Sequence, residues 1–251
     1  MRGPIPYIGG KNRLAQRIIE KIPEHRTYVE LFAGGARVLF QKSPSKIEVI
    51  NDLDNDVSNF FRVCQSHHEE LIRCLSFHIA SRKWFDLYIR TAPETLTDIN
   101  RAARFFYLQR IAYGGKVVGR NFGYGVEGKP RFDALKIPET IKQTHLRLAK
   151  VQVESLSYED VLHRYDREGT FFYCDPPYYD IPVYAFNFSH RDFELLADRL
   201  KGIKGKFLLS VNDVPETRKI FSDFKIEQIR TSYTLEKGNQ KSVSELLIRN
   251  Y

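Results

Sequence analysis

At 251 residues the chain fits one large domain, or a core domain carrying a smaller insert, and can bury a sizeable core. Hydrophobic residues make up 42% and charged residues 28%, which excludes a disordered chain, and no run approaches the roughly 20 apolar residues of a membrane span. Lys and Arg number 39 against 31 Asp and Glu, and this formal charge of +8 suits a polyanionic partner, nucleic acid before an anionic membrane surface. Cys64, Cys74 and Cys174 form no CxxC pair, so neither a disulfide framework nor a zinc site is expected, and a reducing cytosol is. The N-terminus has no apolar run and predicts no signal peptide.

Residues 11–22 read as a helix with Leu14, Ile18, Ile19 and Ile22 on one face. Residues 27–32 form a strand ending in Ala33-Gly34-Gly35, and 47–51 a second. Helical segments fill roughly 55–110, and 112–132 is glycine-rich, basic and aromatic without a helical period. Then come a strand over 151–154, a short helix over 158–165 and a buried strand over 170–174. Ser189 reads as the N-cap of a helix reaching Leu200. A strand over 206–211, a helix over 215–221 and strands over 225–231 and 244–250 close the chain. This alternation predicts an α/β sheet, mostly parallel, with helices on both faces, interrupted by a mainly helical block.

Four constellations carry chemistry. The strand ending in Phe32-Ala33-Gly34-Gly35-Ala36 lets a ligand approach the backbone at the carboxyl edge of the sheet. It is not GxGxxG, so a nicotinamide site is disfavoured. Asp52, at the end of the second strand and about 20 residues beyond that turn, is placed to accept hydrogen bonds from the ribose hydroxyls of an adenosine, leaving helix capping to Asp54 or Asn55. Cys174-Asp175-Pro176-Pro177-Tyr178 is the most specific: the prolines stop a buried strand and lack N–H groups, so the Asp175 carboxylate and the Pro176 carbonyl present two acceptors suited to an amino group. Tyr178 adds a flat face for stacking a base. Finally, Tyr7-Ile8-Gly9-Gly10-Lys11 can cradle an anionic group.

In this order the four segments resemble the alpha group of DNA N6-adenine methyltransferases, the Dam-type enzymes, over essentially the whole chain; the closing Ser244-Glu245-Leu246-Leu247-Ile248-Arg249-Asn250 resembles the family's final strand. The resemblance implies a Rossmann-like methyltransferase sheet, residues 1–55 and 147–251, with an inserted, mainly helical DNA-recognition domain, residues 56–146. It implies S-adenosylmethionine as methyl donor, held by Tyr7, Lys11, Phe32, Gly34, Asp52 and Asp175, and methyl transfer to N6 of a flipped adenine in double-stranded DNA by Asp175, Pro176 and Tyr178. No metal is called for, because a sulfonium already carries a good leaving group. The second glycine of the family's turn is Ala36 here, which cofactor binding tolerates if the backbone avoids positive φ.

In the insert, Lys116, Arg120, Lys129 and Arg131 are interleaved with aromatics such as Tyr113, which suits phosphate contact and stacking. Residues 113–121 are expected to form a loop or hairpin entering the major groove, with Arg120 reading guanine, Asn121 adenine, Lys116 a phosphate, and Tyr113 supporting the flipped base. An RNA substrate, a DNA-binding protein without catalysis and an oxidoreductase are the alternatives; the narrow major groove of A-form RNA, the intact Asp-Pro-Pro-Tyr and the missing GxGxxG argue against each in turn. The expected setting is a monomer in the cytoplasm of a bacterium or phage-infected cell, with a restriction endonuclease, where there is one, acting separately. GATC is the first expectation for the target sequence.

Overall fold

The computed structural model describes residues 3–9, 11, 14–123, 132–236 and 239–251, the stretch 231–243 as backbone alone. Its centre is a seven-stranded sheet of β1 (Thr27–Glu30), β2 (Ile47–Asn51), β3 (Val151–Glu154), β4 (Thr170–Cys174), β5 (Lys206–Asn212), β6 (Lys225–Glu236) and β7 (Asn239–Arg249). The spatial order is β3-β2-β1-β4-β5-β7-β6. The first five strands are parallel, as the alternating pattern predicts, and β7 is antiparallel to both β5 and β6. Only two residues separate β6 from β7, and a parallel crossover needs a dozen or more, so the last two strands are bound to pair as a hairpin. They are also longer than the apolar pattern indicates, because residues 232–236 and 239–243 continue the ladder.

Buried strands alternate their side chains between two cores. Along β4, Phe171 and Tyr173 join one apolar cluster, and Phe172 and Cys174 the other. The second cluster lies under α8 (Tyr158–Tyr165), α9 (His190–Lys201) and α10 (Pro215–Ile220). Helix α9 starts where expected: Ser189 and Asp192 form a reciprocal capping box. The first cluster runs from the sheet under α1 (Ala15–Glu20) and α2 (Arg37–Gln41) into the helical block of α3 (Asn55–Ser66), α4 (His68–Ser76), α5 (Arg82–Arg90), α6 (Asp98–Ile111) and α7 (Ile137–Leu148). Phe60, Phe61, Phe105 and Phe106 are fully buried there, so the helical block shares its core with the sheet.

Helix α1 is shorter than the periodicity of 11–22 implies. Helix α2, at five residues, is too brief to show a period, and α7 is not separately legible in the sequence. Residues 113–121 form a loop closed by an isolated antiparallel bridge between Ala112 and Phe122, with Tyr113 N donating to Asn121 O and Gly123 N to Ile111 O, both at 3.0 Å. No helix among the described residues is long and apolar enough to cross a membrane.

Candidate active site

The carboxyl ends of β1, β2 and β4 border a cavity of about 510 Å³, a size that encloses small-molecule ligands. Tyr7, Phe32, Gly34, Asp52 and Asp175 all line it, so residues up to 168 positions apart in the chain converge on one space, and Lys11 lines it too. Gly34 is in the left-handed region (φ +46°), and a Cβ there would meet the Tyr7 ring at 2.9 Å, so no other residue fits this turn without displacing Tyr7. Two residues on, Ala36 also has positive φ (47°, ψ 42°). The condition that the backbone avoid positive φ is therefore not met: the turn keeps the shape a glycine would take, and alanine carries a strain of about 1–2 kcal/mol within a buried position.

Asp52 is positioned by its neighbours: Oδ2 accepts from Gly34 N at 2.7 Å and Oδ1 from Asp54 N at 2.9 Å. Burial pushes its carboxyl up to about 7, against the lowering effect of those two bonds. Asp54 caps α3 by accepting from Asp56 N at 2.8 Å, as the sequence suggests. Asn51 ties the strand ends together. Its amide donates to Leu31 O and Leu156 O and accepts from Leu156 N, at 2.9–3.1 Å. Phe32 packs against Tyr158 and Phe188, with ring centroids 5.8 and 5.6 Å away. The Tyr7 hydroxyl is pushed well above its ordinary value, by burial first and then by the nearby Asp52 carboxyl. Glu30, at the cavity floor, accepts from Leu39 N and Tyr28 OH, both at 3.2 Å, and burial pushes it up to about 8, so it is mostly protonated at neutral pH.

Asp175 is held at one oxygen. Its Oδ1 receives Lys11 Nζ at 2.7 Å and Ser210 Oγ at 3.0 Å, and its side chain is 20% exposed. Ser210 has given its one hydrogen to the carboxylate, so the 3.0 Å contact with Tyr173 is a donation from the tyrosine. Burial pushes Asp175 up from the ordinary carboxylate range, and Lys11 opposes this most. The far end of the loop is clamped by Asn212, which accepts from Tyr179 N at 2.8 Å and donates to Tyr179 O at 3.1 Å. Lys11 is almost wholly buried and also donates to Tyr178 OH at 2.7 Å. Pro177 borders the cavity; Pro176 and Tyr178 are buried and do not. Lys11, which the resemblance allots to the cofactor, thus has its ammonium on the catalytic-loop candidate, and Tyr178 needs its ring uncovered before a base can stack on it.

The basic loop meets the cavity through the N-terminal segment. Ile8 N donates to Gly115 O at 3.1 Å and Gln109 Nε2 to Pro6 O at 3.1 Å. A Cβ at Gly115 (φ +66°) would come within 3.0 Å of Pro6 and Tyr7 backbone atoms. Tyr113 is half exposed, Asn121 exposed and Lys116 partly so. The Arg120 guanidinium turns inward: it donates to Gln109 Oε1 at 3.0 and 3.3 Å and to Lys116 O at 3.1 Å. Presenting its fork to a base requires those bonds to be exchanged. Lys129 and Arg131 lie outside the described residues.

Ser210, Asn212 and Glu245 escaped the sequence reading. Their signal is a polar side chain near the end of an otherwise apolar buried strand, as in Phe207-Leu208-Leu209-Ser210-Val211-Asn212.

The model of the family described as D12 class N6 adenine-specific DNA methyltransferase matches residues 7–235. The chain is 28% identical to the type II methyltransferase M1.LlaDCHI of Lactococcus lactis subsp. cremoris, over 98% of this chain and 94% of that protein. It is 27% identical to the DNA N-6-adenine-methyltransferase of Escherichia phage P1, over 97% of this chain and 34% of that one. It is 24% identical to a DNA adenine methylase of Vibrio cholerae, over 98% and 95% of the two chains.

Proposed function

Since the chain belongs to the D12 class N6 adenine-specific DNA methyltransferase family, we propose that its cavity takes S-adenosylmethionine and that Asp175, Pro176 and Tyr178 direct methyl transfer to N6 of an adenine flipped out of double-stranded DNA. The observation that carries this reading is the convergence of Asp52 and Asp175 on one cavity, one carboxylate suited to a diol and the other to an amine. When bound, S-adenosylmethionine supplies an electrophilic methyl group on a sulfonium. Asp52 accepts the ribose hydroxyls; Phe32, Gly34 and Tyr7 give the remaining wall; Lys11 serves the site through Asp175. The donor set fits such a ligand: a carboxylate with lone pairs to spare, an aromatic wall and a turn tight enough for backbone approach.

Asp175 Oδ2 and the Pro176 carbonyl accept the two N6 hydrogens, which draws the nitrogen lone pair out of conjugation with the ring and aims it. The cofactor would supply its methyl group to that nitrogen and keep the C–S bonding pair on sulfur. One N6 proton passes to Asp175 Oδ2, and the pair of that N–H bond stays on nitrogen. Tyr113, Lys116, Arg120, Asn121, Lys129 and Arg131 contact the duplex, residues 56–146 form the target-recognition part, and the protein works as a monomer in the cytoplasm, any companion restriction endonuclease being a separate polypeptide. The test is tritiated methyl transfer from S-adenosylmethionine to duplex DNA, followed by digestion to nucleosides. Label is expected in N6-methyldeoxyadenosine; label in a cytosine, or none, overturns the reading.

A further inference from the structure

Glu245 has no place in the chemistry above, yet it is wholly buried at the edge of the site. The reason it is there is topological. Strand β7 runs against β5, and their pairing sets Glu245 opposite Asn212, at the carboxyl end of β5. The reversed strand therefore delivers an acid to the edge where β4 and β5 deliver Asp175, Ser210 and Asn212. The Glu245 carboxylate stands 3.7 Å from Lys11 Nζ, which is itself 2.7 Å from Asp175 Oδ1. A wholly buried acid and one that faces the cavity thus share one buried ammonium. A lysine–aspartate pair is already balanced in charge, and a second acid beside it adds a desolvation cost, so its presence calls for a use.

We propose that Glu245 is a positioning residue for methyl transfer: acting through Lys11, it fixes the Asp175 carboxylate with Oδ1 engaged and Oδ2 presented to the target amine. This rests on the reading of Asp175 as the acceptor of N6. The ammonium must stay within ion-pair reach of Glu245 while bonding Asp175 and Tyr178, and that confines it to one place. Among the described residues, the groups facing Asp175 are Lys11 from the N-terminal segment, Glu30 from β1, Tyr173 and Cys174 from β4, the Ser210 hydroxyl from β5 and Glu245 from β7. Burial keeps Glu30 mostly protonated at neutral pH and both Tyr173 and Cys174 neutral. The neighbouring Glu245 raises the proton affinity of Asp175, which favours uptake of the proton shed by N6.

The test uses the full chain carrying carboxyl-¹³C aspartate, with the Asp175 resonance assigned by its loss in Asp175→Asn. In Glu245→Gln the Asp175 titration is expected to move to lower pH. The single-turnover methylation rate is expected to fall about tenfold or more, with its acid limb displaced the same way and the calorimetric cofactor affinity within twofold of wild type. Glu245→Asp, which keeps the carboxyl group one methylene further off, should recover most of the rate; where the glutamine variant is too unstable to assay, the titration is read in Glu245→Met, which also removes the acid and should move it the same way. In Lys11→Met, adding Glu245→Gln should cost clearly less rate than it costs the wild type, because the path through Lys11 is already cut. An Asp175 titration that does not move, a rate within twofold of wild type, or full additivity with Lys11→Met overturns the proposal. Failure of the underlying reading shows separately, as wild-type protein that makes no N6-methyladenine.

Discussion

Asp52 makes the ribose assignment measurable without any turnover. Its two oxygens already accept backbone N–H groups from Gly34 and Asp54, and the carboxyl titrates at about 7 in the free protein. At pH 6 such a group is about one-tenth ionised and at pH 8 about nine-tenths. Only the carboxylate can keep both backbone bonds and still accept from two ribose hydroxyls. Cofactor affinity should therefore be about tenfold tighter at pH 8 than at pH 6, roughly 1.4 kcal/mol, with close to one proton released per cofactor bound at pH 6. Asp52→Asn turns one oxygen into an amide that cannot accept; it should weaken binding by about 1.5–3 kcal/mol and abolish the Asp52 pH step. Calorimetry at the two pH values, in buffers of different ionisation heat, reads affinity and proton release together. Equal affinity at both values with no proton release refutes the assignment, as does a pH step that survives in Asp52→Asn; the ribose role then passes to Asp54.

Four further outcomes are expected. Asn212→Ala unpairs both backbone groups of Tyr179, so it should cost about 1–3 kcal/mol in chemical denaturation and slow single-turnover methylation more than it weakens cofactor binding. Lys116→Ala should weaken binding to all duplexes alike and reduce the slope of log K against log salt by about one, as read by fluorescence anisotropy. Arg120→Ala should relax target choice by about 1–3 kcal/mol at one base pair, and Gln109→Ala should do the same if the pair acts as a brace, the double variant being no worse than either. Glu30 has a folded-state pKa of about 8, above its unfolded value, so its stabilisation is full below the unfolded value and is lost as pH rises towards 8. Glu30→Gln should flatten that decline in denaturation curves of the free protein taken between pH 5 and 8.

The five parallel strands are legible because β1, β2, β4 and β5 are short, largely apolar runs with clear borders and β3 alternates valine with polar residues, and Asp175-Pro176-Pro177-Tyr178 because two prolines after a buried strand leave few other meanings. The convergence of Phe32, Gly34, Asp52 and Asp175 follows from strand order: parallel neighbours β2, β1 and β4 send their loops to the same edge. What stayed hidden depends on contacts distant in the chain. No local pattern announces that Lys11 bonds Asp175 or approaches Glu245, 234 positions away, since the antiparallel register of β7 sets that meeting. The inward turn of Arg120 depends on Gln109, which reads as an ordinary helix residue. The left-handed backbone at Ala36 runs against its residue type, and only the packing around the turn reveals it.

Whether the Asp175 site methylates adenine N6 in DNA is decided by single-molecule sequencing of genomic DNA from cells expressing the chain. Wild-type protein should leave N6-methyladenine at one recurring sequence context, and folded Asp175→Ala protein should leave none. Modified adenines at that context in the Asp175→Ala cells, or their absence with the wild type, would contradict it.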